Sequence, residues 1–110
     1  MQADTPELCV VQTTLATEAQ AAELARAVVR ARLGACVQLQ AIRSVYVWQE
    51  QVRDEPEWLL SIKTRRTRYP QLQAWLREHH PYDTPEIVCL PVHQASPDYA
   101  TWVATNTGEA

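Results

Sequence analysis

The sequence predicts an α+β fold of the ferredoxin-like, split βαβ type, with elements in the order β-α-β-β-α-β and one more helix at the carboxyl end. Segments in which hydrophobic residues recur with the strand period of two alternate along the chain with segments that have the helical period of about 3.6. The chain has 110 residues, and 46% of them are hydrophobic. This is enough to form one hydrophobic core without disulfide bonds. We therefore expect a single domain over residues 1–110, with an ordered core at about 8–105.

The first strand and the first helix follow from an apolar run and a capping pattern. Residues 8–14 open with four apolar side chains, which suits a short buried strand. Thr17 and Gln20 then have the spacing of a capping box, so an amphipathic helix is expected over 17–33. Gly34 stands where this helix is expected to end.

A long hairpin is predicted in the middle of the chain. Residues 35–48 alternate as a strand does, over about 14 positions where five or six are usual. Such a strand either contains a bulge or projects beyond its domain, where a partner subunit would cover its second face. The chain returns over 52–64, and Pro56 marks an edge or a bulge because it cannot donate to a ladder.

The last three elements are marked by proline. A second helix is expected from about Thr67 to His80, with Pro70 tolerated in its first turn. A short apolar strand follows over 86–92. Ser96 and Pro97 then supply an N-cap and a first-turn proline for the final helix.

Composition and charge exclude several classes of function. The formal net charge is -3 and 21% of residues are charged, so no basic field would attract nucleic acid or anionic lipid. Residues 1–7 are polar, and no apolar run approaches the roughly 20 residues that a bilayer requires. We expect a soluble cytoplasmic protein with neither a nucleic acid nor a membrane partner. Cys9, Cys36 and Cys89 lie in apolar stretches without Cys-x-x-Cys spacing, so buried thiols are favoured over a metal or redox role.

Several stretches, in order over almost the whole chain, resemble the CutA family. They are Thr13-Thr14, Arg32-Leu33-Gly34-Ala35-Cys36-Val37, Ser44-Val45-Tyr46-Val47-Trp48, Ile62-Lys63-Thr64, His79-His80-Pro81-Tyr82-Asp83-Thr84-Pro85-Glu86, and Tyr99 with Trp102. The resemblance implies a homotrimer assembled through extended β-hairpins. It also implies a link to tolerance of copper and other divalent ions, and a protein that is not an enzyme.

The chain departs from the family pattern at two positions. Gln49-Glu50 follows the tryptophan where the family commonly has Glu-Gly, and without glycine or asparagine a two-residue primed turn is disfavoured. A longer or bulged loop is therefore expected at the tip. Some bacterial members offer a cysteine as a copper ligand at the position of Thr13, so that ligand set does not transfer.

Metal candidates are His79, His80 and Glu86, because imidazole and carboxylate suit Cu(II) or another divalent cation, none of them obligatory. The alternative for His79 is a histidine that meets the exposed carbonyls at the helix end. A pair of carboxylates or a nucleophile–base arrangement that would indicate catalysis is not recognisable in the sequence.

A possible ligand cleft combines basic and aromatic residues. Lys63 and Arg65 belong to a basic run before the second helix, which is either a solvated loop or an anion site in a subunit cleft, as in trimeric signalling proteins of the P-II type. Tyr46, Trp48 and Tyr82 are candidates for the wall of that cleft. Aromatic side chains on strands are more often interface core, so Tyr46, Trp48 and Trp58 are also expected at the trimer interface.

Overall fold

The chain folds into a four-stranded antiparallel sheet with two helices on one face and one helix on the other. The computed structural model describes residues 5–108, so both ends of the predicted 1–110 domain lie outside the described residues. The elements are β1 (Leu8–Leu15), α1 (Glu18–Arg30), β2 (Cys36–Trp48), β3 (Gln51–Arg65), a 3-10 turn (Arg66–Arg68), α2 (Tyr69–His79), β4 (Val88–Pro91) and α3 (Pro97–Thr105). The sheet order is β2-β3-β1-β4, which confirms the predicted ferredoxin-like sandwich.

The main core lies between the sheet and the pair α1 and α2. Odd-numbered residues of β1 and even-numbered residues of β3 face these helices, as the period of two requires. A smaller cluster on the opposite face packs α3 against the sheet. The main cluster comprises Cys9, Val11, Leu15, Ala21, Leu24, Ala25, Val28, Leu33, Leu60, Ile62, Leu72 and Leu76, and the smaller one Leu8, Ala100 and Val103.

Helix α1 begins as predicted but ends earlier. The Thr17 hydroxyl accepts from the Gln20 amide at 3.1 Å, which confirms the N-cap. The left-handed residue after the helix is Arg32, with φ of 60°, and not Gly34. A Cβ on Gly34 would lie 2.6 Å from the Ile62 side chain, so this glycine is required by close packing and not by a helix cap.

The left-handed backbone conformation of Arg32 is stabilised by hydrogen bonds from its side chain to residues at the end of α3 and after it. Its guanidinium donates to the carbonyl oxygens of Thr105 and Gly108, both at 2.7 Å. Arg65 donates from Nε to the Thr107 hydroxyl and from a terminal nitrogen to the Thr107 carbonyl oxygen. Two charged donors therefore hold the carboxyl end of α3 against the sheet.

The β2–β3 hairpin projects well beyond the rest of the sheet. Every residue of β2 is paired with β3 in an unbroken register, so of the two predicted alternatives, a bulge or a projecting strand, these described strands show the projecting strand. β1 reaches β3 only between Trp58 and Arg65, which leaves residues 42–48 and 51–57 as a two-stranded extension, here called the hairpin arm. The arm accounts for the elongated molecule, whose principal extents are 54, 26 and 21 Å.

Pro56 lies on the arm where a missing amide hydrogen is harmless. Counting outward from the turn, the pair Arg43 and Pro56 is one of the pairs that exchange no backbone hydrogen bonds, so the proline nitrogen faces away from β2. That side of β3 is an open edge because β1 has already ended. Of the two alternatives predicted for Pro56, an edge or a bulge, the structure shows the edge.

The turn at the tip of the arm contradicts the expectation of a long loop. Trp48 pairs directly with Gln51, so the loop contains only Gln49 and Glu50. Both have positive φ, 51° and 64°, which are the angles of a type I′ turn. The right-handed twist of the paired strands selects this turn even though neither residue favours the left-handed region.

The remaining elements differ from prediction mainly at their ends. Pro70 lies in the first turn of α2, as expected, but the preceding turn is of the 3-10 type. β4 is restricted to Val88–Pro91, because only these residues reach β1. The final helix begins after Ser96 with Pro97 in its first turn, as predicted.

The turn provides a test of the energetics of the arm. Replacing Gln49-Glu50 by Asn-Gly should raise the free energy of unfolding by about 1 to 2 kcal/mol, because a left-handed residue other than glycine costs roughly that much. Urea unfolding at fixed chain concentration measures the change. As a matched control, Gln51→Gly in the adjoining extended strand should lower the free energy by about 0.5 to 1 kcal/mol. An unchanged or lower midpoint for Asn-Gly would show that the native side chains stabilise the turn.

Candidate functional site

A groove with a volume of about 820 Å³ lies between the hairpin arm and the loop that follows α2. The arm contributes one wall with its aromatic and aliphatic side chains, and the Pro-bounded loop contributes the other. The lining residues are Thr14, Ser44, Val45, Tyr46, Val47, Trp48, Glu57, Tyr82, Asp83, Thr84, Pro85 and Glu86. The groove thus unites the predicted cleft residues Tyr46, Trp48 and Tyr82 with the predicted metal candidate Glu86.

Two tyrosine–carboxylate hydrogen bonds order the floor of the groove. The Tyr82 hydroxyl donates to Glu57 Oε2 at 2.9 Å, and the Tyr46 hydroxyl donates to Glu55. Burial, followed by the Glu57 hydrogen bond, raises the pKa of Tyr82 well above its usual range. The hydrogen bond to Glu55 likewise raises the pKa of Tyr46. Both hydroxyls therefore remain protonated donors at neutral pH.

The groove is negatively charged. Its described lining contains three carboxylates, those of Glu57, Asp83 and Glu86, and no lysine, arginine or histidine. Although Glu86 keeps solvent contact, partial desolvation and then repulsion by Glu57 raise the pKa of its carboxyl group. Arg53, cross-strand from Tyr46, is the neighbouring positive charge, and its Nε has no hydrogen-bond partner.

His79 is exposed and has one ring nitrogen free for a ligand. Its Nδ1 donates to the Trp75 carbonyl oxygen at 2.8 Å, one turn back in α2. Its ring also stacks on Trp75, with the ring centroids 4.0 Å apart. This geometry is the one expected of a histidine that satisfies carbonyls at a helix end, and it leaves Nε2 directed away from the helix backbone.

His80 is buried and both of its ring nitrogens are occupied. Nδ1 accepts from the Tyr82 amide at 3.1 Å, so the proton lies on Nε2, which donates to the Thr14 carbonyl oxygen at 2.9 Å. Burial lowers the pKa of this imidazole, in spite of an opposing contribution from the Thr14 hydrogen bond. His80 therefore positions the loop that carries Tyr82 and has no lone pair left for a metal.

The predicted metal residues do not form a closed set of ligands within one chain. Across residues 5–108, no group of three or more His, Cys, Asp or Glu side chains is arranged to hold an ion. Thr13 is fully buried and its hydroxyl has no hydrogen-bond partner. His79 and Glu86 are the remaining candidates, and a tight site would need further ligands.

The predicted basic cleft residues lie apart from the groove. Lys63 donates to Gln38 Oε1 at 3.0 Å and lies 5.9 Å from the centroid of the Tyr99 ring, near α3. Arg65 is engaged with Thr107, as described above. Neither residue lines the groove of Tyr46, Trp48 and Tyr82.

The hairpin arm exposes apolar side chains on both of its faces. Tyr46 and Trp48 lie on one face, where Trp48 is 40% exposed, and Val47 and Val52 lie on the other at 69% and 75%. Trp58, also predicted for the interface, is half-buried and packs against the chain's own core. Three exposed valines of the arm were not among the predicted interface residues, although Val45 and Val47 alternate with Tyr46 and Trp48 in the sequence. Those valines are Val45, Val47 and Val52.

The three thiols are free, as predicted, but two of them are neighbours. Cys9 is buried, and its pKa is raised to about 12, first by burial and then by a hydrogen bond with Cys89. Cys36 is half-buried on another strand. Local sequence contains no signal for this pair, because the contact depends on β4 lying beside β1.

Comparison with known proteins identifies the family of this chain. The family model described as "CutA1 divalent ion tolerance protein" matches residues 9–106. The chain belongs to the CutA1 family. "Divalent-cation tolerance protein CutA" of Thermus thermophilus is 39% identical over 100 residues, covering 90% of this chain and 97% of that relative.

Further CutA proteins agree in sequence and in structure. "Protein CutA" of Mus musculus is 43% identical over 91 residues, and the match covers 82% of this chain and 51% of the relative. The chain therefore spans about half the length of that relative. The structure of CutA from Synechococcus elongatus superposes with a TM-score of 0.90 at 37% identity, covering 96% of this chain and 95% of that one.

Within residues 5–108, no helix is long and apolar enough to cross a bilayer.

Buried, neutral His80 should give stability a distinct pH dependence. Because its folded pKa is lowered, the unfolded chain binds a proton that the folded chain does not once the pH falls below about 6.5. The free energy of unfolding should therefore decrease as the pH drops below that value. His80→Gln should remove this component, measured by urea unfolding between about pH 7.5 and 5.5. Equal slopes for His80→Gln and wild type would contradict the assignment.

Proposed function

We propose that this chain is a homotrimeric, cytoplasmic divalent-cation tolerance protein that binds ions such as Cu(II) weakly and has no catalytic role. Membership of the CutA1 family supports the link with divalent cations, since the matching Thermus thermophilus relative carries that name. The main support for a trimer is the hairpin arm, because its exposed apolar side chains are unsuited to permanent contact with water.

The arm has the features of a surface that pairs with another subunit. Its two faces carry large exposed apolar side chains, and the outer edge of β2 has no strand neighbour in the described sheet. β3 is also unpaired on its outer side along residues 51–57. Unpaired backbone groups beside apolar side chains favour addition of a strand from a second copy, and closed symmetry limits the assembly to a defined number of subunits.

The proposed metal binding is weak because the chain has few side chains that are free to coordinate an ion. Nε2 of His79 is open and the Glu86 carboxylate has solvent contact, whereas His80 is fully hydrogen-bonded. An imidazole and a carboxylate suit Cu(II) better than Zn(II) in the usual order of affinities. Any further ligand would come from water or from another subunit.

The P-II-like alternative, with an anionic ligand or nucleotide in a subunit cleft, has no support from the comparisons. The aromatic groove is acidic, and the basic candidates Lys63 and Arg65 make contacts elsewhere in the chain. A negative lining is unfavourable for phosphate groups.

Assembly is tested by the mass in solution. Light scattering should give three times the chain mass of 12.5 kDa at micromolar concentration. Trp48→Ala should weaken assembly by about 2 to 4 kcal/mol, as loss of a central aromatic anchor does, and Trp48→Phe should retain most of it. A monomeric wild-type mass would refute the trimer. If Trp48→Ala forms a trimer as stable as that of the wild type, Trp48 lies on an exposed rim of the interface and not at its centre.

Ion binding is tested by Cu(II) calorimetry on wild type, His79→Ala, Glu86→Gln and His80→Ala. Affinity should be modest, should exceed that for Zn(II), and should fall as the pH enters the range where imidazoles are protonated. His79→Ala and Glu86→Gln should reduce affinity by about tenfold or more, because each removes a direct ligand. His80→Ala should instead lower stability by about 1 to 3 kcal/mol through unsatisfied buried groups. Equal affinity in all four proteins would exclude these residues.

A further inference from the structure

The groove between the hairpin arm and the loop after α2 has the size and the lining of a small-molecule site. Its volume of about 820 Å³ lies within the range of roughly 300 to 1,000 Å³ that is usual for ligand pockets. Its walls combine aromatic and aliphatic side chains with three carboxylates. A groove of this kind selects a ligand by apolar contact and by charge together.

The negative charge in the groove is not neutralised by cations of the chain's own lining. Glu57, Asp83 and Glu86 belong to that lining, and none of its described residues is a lysine, an arginine or a histidine. Partial desolvation and then repulsion by Glu57 raise the pKa of Glu86, so these two carboxylates disfavour each other's charge. Arg53 lies nearer the tip of the arm, opposite Tyr46, and is not part of the lining. A cation bound between the carboxylates would relieve this repulsion.

Aromatic rings stand beside these carboxylates. The Tyr82 hydroxyl donates to Glu57 Oε2 at 2.9 Å, which holds the ring and the carboxylate together in the groove. Tyr46 and Trp48 lie on the same face of the arm as Glu57. The π faces of such rings attract cations, and their apolar surface accepts methylene groups. Rings next to carboxylates are therefore suited to an organic ammonium group.

This lining favours an organic cation over a tightly bound metal ion. Across residues 5–108, no group of three or more His, Cys, Asp or Glu side chains is arranged to hold an ion. Hard divalent ions need about six to eight oxygen ligands in a compact shell, whereas an ammonium group donates up to about three hydrogen bonds to carboxylates or water. Glu57 lies on the arm, and Asp83 and Glu86 lie on the loop, so a ligand with two ammonium groups can contact both walls.

We propose that this groove binds an aliphatic diamine or polyamine, with ammonium groups at Glu57 and Glu86 and the methylene chain against Tyr46 and Tyr82. The ligand is held by charge-assisted hydrogen bonds and by apolar contact, without a covalent step. Trp48, next to the turn at the outer end of the groove, remains the residue assigned to subunit contact. The site goes beyond the proposed function, because its ligand is an organic cation and His79 takes no part.

The site is tested by titration calorimetry of the full chain with 1,4-diaminobutane at low ionic strength. Wild type should bind one diamine per chain with a Kd below about 1 mM. n-Butylamine, with a single charge, and Mg²⁺, without a methylene chain, should each bind at least about tenfold more weakly. The uncharged 1,4-butanediol should not bind. Equal affinities for Mg²⁺ and the diamine would overturn the proposal, because the groove would then attract counterions only.

Variants locate the site within the groove. Glu57→Gln keeps an oxygen that accepts from the Tyr82 hydroxyl, and it should lower the diamine affinity about tenfold, as should Glu86→Gln. Tyr46→Leu removes the ring but keeps an apolar side chain, and it should lower the affinity about two- to fivefold. Glu23→Gln is the matched control, because it removes one exposed carboxylate from α1, on the opposite face of the sheet. Melting curves and light scattering check folding and assembly.

The outcomes separate this site from the divalent one. His79→Ala should leave the diamine affinity unchanged, and Glu57→Gln should leave the Cu(II) affinity unchanged, so either proposal can fail while the other holds. Wild-type diamine affinity in the folded Glu57→Gln, Glu86→Gln double variant would overturn the proposal. An equal loss in Glu23→Gln, or no detectable binding by the wild type, would do the same.

Discussion

The unbroken pairing of β2 with β3 is the constraint on which the rest of the structure depends. Every residue of β2 has a partner in β3, and this register passes without a bulge from the core to the tip of the arm. It imposes left-handed backbone on Gln49 and Glu50, because strands that twist to the right are best joined by a primed turn. It also carries the pairing beyond the end of β1, which leaves apolar faces and open edges on the arm. The elongated shape and the proposed trimer both follow from this one ladder.

The same hairpin builds the acidic groove. Glu55 and Glu57 lie on one face of β3, and each accepts from a tyrosine, one on the opposite strand and one in the loop after α2. The loop is held in turn by His80, which links the Tyr82 amide to the Thr14 carbonyl oxygen. The residue that resembled a metal ligand in sequence is therefore the residue that shapes the loop. A buried imidazole with both nitrogens hydrogen-bonded stabilises structure and has no capacity left for coordination.

The proposed binding of a divalent ion relies on donors near the surface of the molecule. His79 and Glu86 are exposed and offer nitrogen and oxygen, which suits a weakly held divalent ion.

The sequence by itself determined the order of elements, the sandwich class, the Thr17 cap, the proline-marked helix starts and the overlong strand, because periodicity and capping are local properties of the chain. Its motifs also identified the family. Tertiary structure decided what depends on residues far apart: the primed turn, which the twist of a whole hairpin selects, and the left-handed Arg32, which contacts with residues 105 and 108 stabilise. Tertiary structure also decided that His80 is buried and held by hydrogen bonds, whereas the adjacent His79 is exposed and keeps one ring nitrogen free. The diagonal register of Cys9 and Cys89 likewise depends on tertiary structure, since β1 and β4 become neighbours only when the sheet is complete.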